Sequence, residues 1–123
     1  MVAEEIVQRI KSEKSVSDSL RELGIRDGDA LNYSAGRGPI RGTSGGGADK
    51  VIYAFFRDTQ DKRGLLVGAV VEESVEVIDM VTFERRADGE WMIVEGHGGL
   101  GAYQAVREYA EKLLTTDRRT IEF

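Results

Sequence analysis

In four consecutive segments, side chains that alternate with a period of two residues would place hydrophobic residues on one or both faces of an extended chain. This pattern predicts β-strands. The segments are residues 50–56, 65–71, 75–84 and 91–95. Asp88 and Gly89 separate the last two, and Asp-Gly between β-rich segments is a strong hairpin signal. We therefore predict a four-stranded antiparallel meander. Because the first two segments are apolar on both faces, both sides of the sheet must be covered.

Helical periodicity precedes the strands over residues 3–13, where one face is apolar. A second short helix is predicted to begin at a capping box that starts at Ser15 or Ser19, and to end at Gly24. Two short helices joined by a serine-rich turn are also typical of half a helix-turn-helix, but we favour a helical cap on the sheet. The predicted buried side of these helices comprises Ile6, Val7, Ile10, Val16, Leu20 and Leu23.

The chain after the meander predicts a last helix over residues 100–114 and a final strand over residues 120–123. That strand either lies parallel to a strand of the same sheet or is exchanged with a second subunit. The expected fold is one α+β domain over residues 1–123: an antiparallel four- to six-stranded meander sheet with N-terminal helices and a C-terminal helix packed against it. Either the two helical segments cover one face each, or a homodimer buries one face; we favour the homodimer.

Composition narrows the class of protein. The net charge of −5 repels phosphate and disfavours binding to nucleic acid or anionic membranes. Residues 23–29, Leu-Gly-Ile-Arg-Asp-Gly-Asp, resemble the entry into a strand hairpin in AbrB-type swapped-hairpin DNA-binding proteins, but we carry no function over from so short a match. With no cysteine and one histidine, we expect no disulfide, no metal site and no cofactor. We find no targeting or membrane-spanning pattern and expect a cytoplasmic protein.

A glycine-rich segment over residues 36–49 predicts a flexible loop. Its accessible backbone N–H groups, together with the side chains of Arg37 and Arg41, suit a small anionic ligand. The segment lacks the Lys-Ser/Thr ending of a phosphate-binding P-loop. A mobile surface loop that contacts no ligand is therefore the alternative.

The hairpin register follows if Asp88 and Gly89 are the two central residues of the turn. The expected cross-strand pairs are Thr82 with Glu95, Met80 with His97, and Phe83 with Val94. One face is expected to be apolar apart from a carboxylate, and it carries Val77, Asp79, Val81, Phe83, Met92 and Val94. The other changes from aromatic to titratable, and it carries Ile78, Met80, Thr82, Trp91, Ile93, Glu95 and His97.

The titratable end of the second face is a candidate catalytic site. Glu95 and His97 stand two residues apart on one strand, and a carboxylate beside an imidazole favours its protonated form, which suits acid–base chemistry near neutral pH. Asp79 is a third candidate catalytic residue, placed either in a pocket or towards solvent on an outer strand. The alternative for all three is an ordinary solvated position.

Glycines at the start of the last helix are candidate ligand-binding residues. Gly96, Gly98 and Gly99 lie within a G-x-G-x-x-G sequence that follows a strand and opens a helix, with Tyr103 shortly after it. A dinucleotide is disfavoured because the parallel strands of the matching fold are missing. A simpler anion site, or a tight strand-to-helix turn, fits better.

Three functions are consistent with these patterns. The first is binding of a small molecule or anion at the end of the strand that runs from Trp91 to His97. The second is a small metal-independent acid–base enzyme that uses His97 with Glu95 or Asp79. The third is a homo-oligomeric assembly protein without catalysis, and sequence patterns leave open which of them applies.

Overall fold

The computed structural model describes residues 3–25, 33–37, 51–71, 73–97, 104–115 and 119–122. Its helices are α1 (Ala3–Ser12), α2 (Lys14–Glu22) and α3 (Gln104–Thr115). Its strands are β1 (Tyr33–Arg37), β2 (Val51–Arg57), β3 (Arg63–Val71), β4 (Val75–Arg85), β5 (Trp91–His97) and β6 (Thr120–Glu122). The side chains of Ile78, residues 95–97, residues 104–107 and Glu122 fall outside the description.

The described strands form one six-stranded sheet in the order β5-β4-β3-β2-β1-β6. Strands β2 to β5 are consecutive antiparallel neighbours, so the predicted meander is confirmed. β6 pairs parallel with β1, and the prediction of a purely antiparallel sheet is therefore wrong. The reason for the parallel pairing is the connection between β5 and β6. It contains α3 and runs from the β5 edge of the sheet to the opposite edge, and a helical crossover of this kind permits a parallel strand. The alternative of a parallel placement within the same sheet is confirmed.

Helices of the same chain cover both faces of this sheet. α1 and α2 pack on one face, here called the α1/α2 face, which carries Ile52, Ala54, Phe56, Leu65, Val67 and Ala69. α3 packs on the other, here called the α3 face, which carries Val51, Tyr53, Phe55, Leu66, Val81, Phe83 and Trp91. The alternative in which the two helical segments cover one face each, which we did not favour, is thus confirmed. The homodimer stays a prediction. It is no longer needed to cover one face of the sheet, because helices of the same chain cover both faces.

Gly24 ends α2 as predicted, in a left-handed backbone conformation with a φ of 75°. The N–H of Gly24 donates to the carbonyl of Arg21, and the N–H of Ile25 donates to the carbonyl of Leu20. These two bonds make a Schellman motif, which satisfies carbonyls in the last turn of the helix. At its other end, α2 begins after Glu13 without a side-chain cap, so neither predicted capping box starts it.

Replacing Gly24 with alanine is expected to lower the free energy of unfolding by about 1–2 kcal/mol, since a residue with a Cβ is strained in the left-handed region. Crowding is not the cause, because a Cβ at this position meets no atom within 4 Å. Urea denaturation measures the loss, and Gly24→Asn should lose less because asparagine tolerates this conformation better. Unchanged stability of Gly24→Ala would contradict the assignment of strain.

The turn between β4 and β5 contains one residue more than predicted. The N–H of Arg86 donates to the carbonyl of Glu90 at 2.7 Å, and Gly89 between them has a φ of 91°. This is the three-residue hairpin loop in which a tight turn is followed by a left-handed glycine. Asp88 therefore sits at the middle of the loop, and the pairing next to the turn moves by one residue.

The register near the turn differs from the prediction and then returns to it. Phe83 pairs with Ile93, so its predicted pairing with Val94 is wrong. A bulge between Thr82 and Phe83 absorbs the extra residue. Beyond this bulge, the predicted pairs are confirmed: Thr82 with Glu95, and Met80 with His97.

The extra turn residue decides which face Trp91 occupies. Trp91 is 8% exposed and packs on the α3 face with Phe83, and Ile93 lies against the same cluster. The predicted mixed face, with Trp91 and Ile93 beside Thr82 and Met80, is therefore wrong. The predicted places of Met92 and Val94 on the apolar face are wrong as well, since they are 42% and 50% exposed.

A second bulge, between Gly68 and Ala69, shifts β4 against β3. Val77 packs on the α1/α2 face, so its predicted place beside Val81 is wrong. Asp79 lies beyond the bulge, opposite Gly68. A single inserted residue reverses the face of everything on one side of it, which a uniform alternation cannot anticipate.

The segment predicted as a flexible glycine-rich loop begins as a strand. Gly36 and Arg37 belong to β1, where they pair with Tyr53 and Ile52 of β2. Residues 38–49 of that segment lie outside the described residues. Among the helices that the structure describes, none combines the length and hydropathy needed to cross a bilayer.

Candidate functional site

The predicted site residues divide into those the structure places and those it does not. Glu95, Gly96 and His97 are the last residues of β5, with backbone pairing described and side chains outside the description. Arg41, Gly98, Gly99 and Tyr103 lie outside the described residues altogether. Acid–base chemistry at His97 with Glu95, and a ligand-binding turn at the start of the last helix, stay predictions.

Asp79 is partly buried, on the strand next to β5. The N–H of Met80 donates to its Oδ1 at 2.9 Å, which stabilises the carboxylate locally. Across β3 the opposing residue is Gly68, and beyond it on β2 lies Tyr53. The carboxylate thus lies in a row of cross-strand neighbours formed by Asp79, Gly68 and Tyr53, in which Gly68 has no side chain. This row lies at the end of the sheet where β5 reaches His97.

Arg37 lies on β1 with an exposed side chain. Its backbone carbonyl accepts a hydrogen bond from the Tyr109 hydroxyl at 2.7 Å, which fixes α3 against this strand. Four strand spacings separate β1 from β5 in the sheet order, a distance of about 19 Å. The sheet therefore does not bring the backbones of Arg37 and His97 together.

A cavity of about 290 Å³ opens at the other end of β5, between the C-terminal turn of α3 and the β4–β5 turn. We call it the Trp91 cavity. Its volume is at the lower end of the range found for small-molecule sites. It is lined by Arg57, Asp61, Arg85, Gly89, Glu90, Trp91, Glu111, Leu114 and Thr115. The residues that surround this small space therefore bear an indole, two guanidinium groups and three carboxylates.

Arg57 forms the buried floor of this cavity, and its side chain is 4% exposed. Its Nη1 donates to the carbonyl of Leu114 at 2.9 Å, and its Nη2 donates to Ser34 Oγ at 3.3 Å. The last carbonyls of a helix lack helical partners and carry partial negative charge, so a guanidinium there is favourable. The Nε lies 4.0 Å from Asp61 Oδ1, which adds a full opposite charge. The floor is therefore polar, oriented and largely balanced in charge.

Trp91 forms the aromatic wall of the cavity, and buried aromatic rings pack against its inner side. The ring of Trp91 lies edge-on to that of Phe55, with centroids 5.9 Å apart, and the Phe55 ring lies 5.5 Å from that of Phe83. Phe55 and Phe83 are fully buried. A Cβ on Gly64 would overlap Cε1 and Cζ of Phe55. The absence of a side chain at residue 64 is therefore what lets the Phe55 ring support Trp91.

The rim of the cavity is charged and faces solvent. The guanidinium of Arg85 lies over the Trp91 ring, with Cζ 5.6 Å from its centroid, and Nε donates to the carbonyl of Gly89 at 3.1 Å. Within the described part of the chain, neither Nη of Arg85 has a hydrogen-bond partner. The same holds for the carboxylates of Glu90 and Glu111, for which the described residues supply no bond or ion pair. Hydrogen-bond donors and acceptors thus lie together at the rim of the cavity.

A second depression lies on α1, lined by Glu4, Glu5, Gln8 and Arg9. All four residues belong to successive turns of one helix, so it is a surface groove rather than an enclosed site. Arg119 lies beside it, and its pKa is raised by a hydrogen bond to the Tyr33 side chain and by the negative charge of Glu4. Charged side chains account for this region without a ligand.

Metal binding has no support among the described residues, where no three His, Asp or Glu side chains are grouped closely enough to hold an ion. The predicted absence of a metal site concerned the whole chain, and it stays a prediction for the remaining residues.

The strand pattern contained a signal for Arg57. Residues 51, 53 and 55 of β2 are apolar and share one face, and Arg57 continues that series at the end of the strand. A charged residue at the next position of a series of buried apolar residues is expected to be buried and to have a hydrogen-bond or ion-pair partner. Arg85 and Trp91 had no equivalent signal, because their pairing depends on the length of the turn between them.

Comparison with known proteins gives no relative from which a function could be read. No family model matches the chain, and no curated protein or solved structure matches it.

Proposed function

We propose that this protein binds a small molecule with an anionic group, such as a carboxylate, in the Trp91 cavity. The observation that carries the proposal is a nine-tenths-buried guanidinium at the floor of a cavity whose wall is an indole and whose rim presents a second guanidinium. Small-molecule sites typically combine apolar walls with a few oriented polar groups. The proposal keeps the ligand class expected from sequence and moves the site from the His97 end of β5 to the Trp91 end.

The arrangement at Arg85 supports an anionic group in particular. The Trp91 ring and the Gly89 carbonyl hold the guanidinium, so less rotamer freedom is lost when its terminal nitrogens bind a ligand. A guanidinium matches a carboxylate with two parallel hydrogen bonds, which adds geometric selectivity to the charge attraction. Trp91 is the only tryptophan in the chain, so its fluorescence reports on this cavity alone.

Replacing Arg85 with methionine is expected to weaken the binding of a carboxylate probe by about tenfold or more, because a charge-assisted hydrogen bond is lost. The probes are 3-phenylpropanoate and phenylalanine, titrated while Trp91 fluorescence and calorimetric heat are measured. Arg86→Met is the matched control, since Arg86 is the neighbouring exposed arginine, pairs with Asp88 at 3.7 Å and does not line the cavity. Equal losses in the two variants, or no binding of either probe to the parent protein, would refute the proposal.

A further inference from the structure

The charges around the Trp91 cavity do not match a ligand that is purely anionic. Two guanidinium groups line it together with three carboxylates, those of Asp61, Glu90 and Glu111. The C-terminal end of α3 adds partial negative charge at Leu114 and Thr115. The balance of the lining is therefore negative, although its most buried member is Arg57.

The charges that remain for a ligand are those of the rim. Arg57 is already bound to Leu114 and Ser34 and lies near Asp61, so the floor is compensated within the chain. At the rim, Arg85 offers two terminal nitrogens, while Glu90 and Glu111 offer carboxylate oxygens, without partners for any of them in the described structure. The rim therefore presents one positive and two negative groups around the same opening.

We infer that the ligand is a small zwitterion, with an amine as well as a carboxylate, on an apolar body that fits against Trp91. A carboxylate alone would bind Arg85 but would bring negative charge towards Glu90 and Glu111. An amine alone would bind those carboxylates but would be repelled by Arg85. A molecule with both groups has a favourable partner for each, and charge complementarity of this kind selects among ligands of equal size.

This inference rests on the proposed function, and one set of matched probes separates the two. Phenylalanine carries both groups; 3-phenylpropanoate is the same molecule without the amine, and 2-phenylethylamine is the same molecule without the carboxylate. Leucine, 4-methylpentanoate and 3-methylbutylamine form a second set with an aliphatic body. Each is titrated into the full chain, with Trp91 fluorescence and calorimetry as readouts.

The expected result is that the zwitterion of a set binds at least about tenfold more tightly than either single-charge relative, a difference of ~1.4 kcal/mol. Glu111→Gln should weaken binding of the zwitterion and of the amine, and leave binding of the carboxylate unchanged or stronger. Glu84→Gln is the control, because Glu84 is an exposed carboxylate on β4, next to Arg85, that does not line the cavity.

Three outcomes count against the inference, and they differ in what else they overturn. If the carboxylate probe binds as tightly as the zwitterion, the amine does not contribute to binding. The zwitterion inference then fails and the proposed function stands. If the amine probe binds as tightly as the zwitterion, the carboxylate does not contribute to binding, and both proposals fail. If no member of either set binds, the cavity is not a site for this class of ligand, and both fail together.

Discussion

Replacing Gly64 with alanine is expected to destabilise the protein by about 1–3 kcal/mol, the range for overpacking a well-packed core. The new Cβ would overlap the outer edge of the Phe55 ring. That ring cannot easily move away, because Phe55 is fully buried and contacts both Phe83 and Trp91. Urea denaturation gives the loss of stability, and a red shift of Trp91 emission would show that the disturbance reaches the cavity wall.

A double-mutant cycle tests the cause of this loss. Phe55→Leu shortens the side chain that the new Cβ would meet, so the combination with Gly64→Ala should be more stable than the sum of the two single effects predicts. Additive losses would mean that the Phe55 ring is not what excludes a side chain at residue 64. A Gly64→Ala variant as stable as the parent would contradict the close packing itself.

Replacing Arg57 with methionine is expected to cost about 2–3 kcal/mol, because methionine fills the space of the aliphatic stem but cannot donate to the Leu114 carbonyl or to Ser34. Both acceptors would stay in a poorly solvated place without their donor. The end of α3 should loosen first, so hydrogen exchange of amides in that turn should accelerate more than exchange in β2 or β3. Binding of the carboxylate probes should fall together with stability.

Arg57→Lys is the matched control for charge. It keeps the positive charge but replaces a planar fork with a single ammonium, which cannot reach Leu114 and Ser34 with the same geometry. Its stability should fall between those of the parent protein and Arg57→Met. If Arg57→Lys were as stable as the parent, charge alone would explain the site; if Arg57→Met were as stable, the bonds to α3 would contribute nothing.

Most strands and helices followed from local patterns, for identifiable reasons. β2 and β3 alternate apolar residues on both sides, and their side chains divide between the two faces as the alternation predicts. Gly24 terminates α2 because its left-handed conformation is available to glycine at little cost. The parallel pairing of β6 with β1 was one of two alternatives, since no local signal distinguishes partners separated by a helix.

The site was harder to predict, because it depends on features one residue long. A three-residue turn in place of a two-residue turn, followed by a bulge, places Trp91 on the α3 face and brings it beside Phe55. The pattern of Asp88 and Gly89 is compatible with both turn lengths. The alternation of β2 indicates that Arg57 is buried but does not identify its partners. Its bonds to Ser34 and Leu114 join distant parts of the chain, and such contacts leave no periodic trace in a sequence.

The most direct test of the Trp91 cavity as a binding site is a two-dimensional ¹H–¹⁵N NMR titration of the full chain with phenylalanine. The chain has one tryptophan, so a single indole N–H signal reports on the cavity wall. We predict a saturable shift of that signal, together with shifts of the backbone amides of Gly89, Glu90 and Thr115, which line the same space. Saturable shifts confined to the His97 end of β5 or to α1, or no saturable shift at all, would contradict the account.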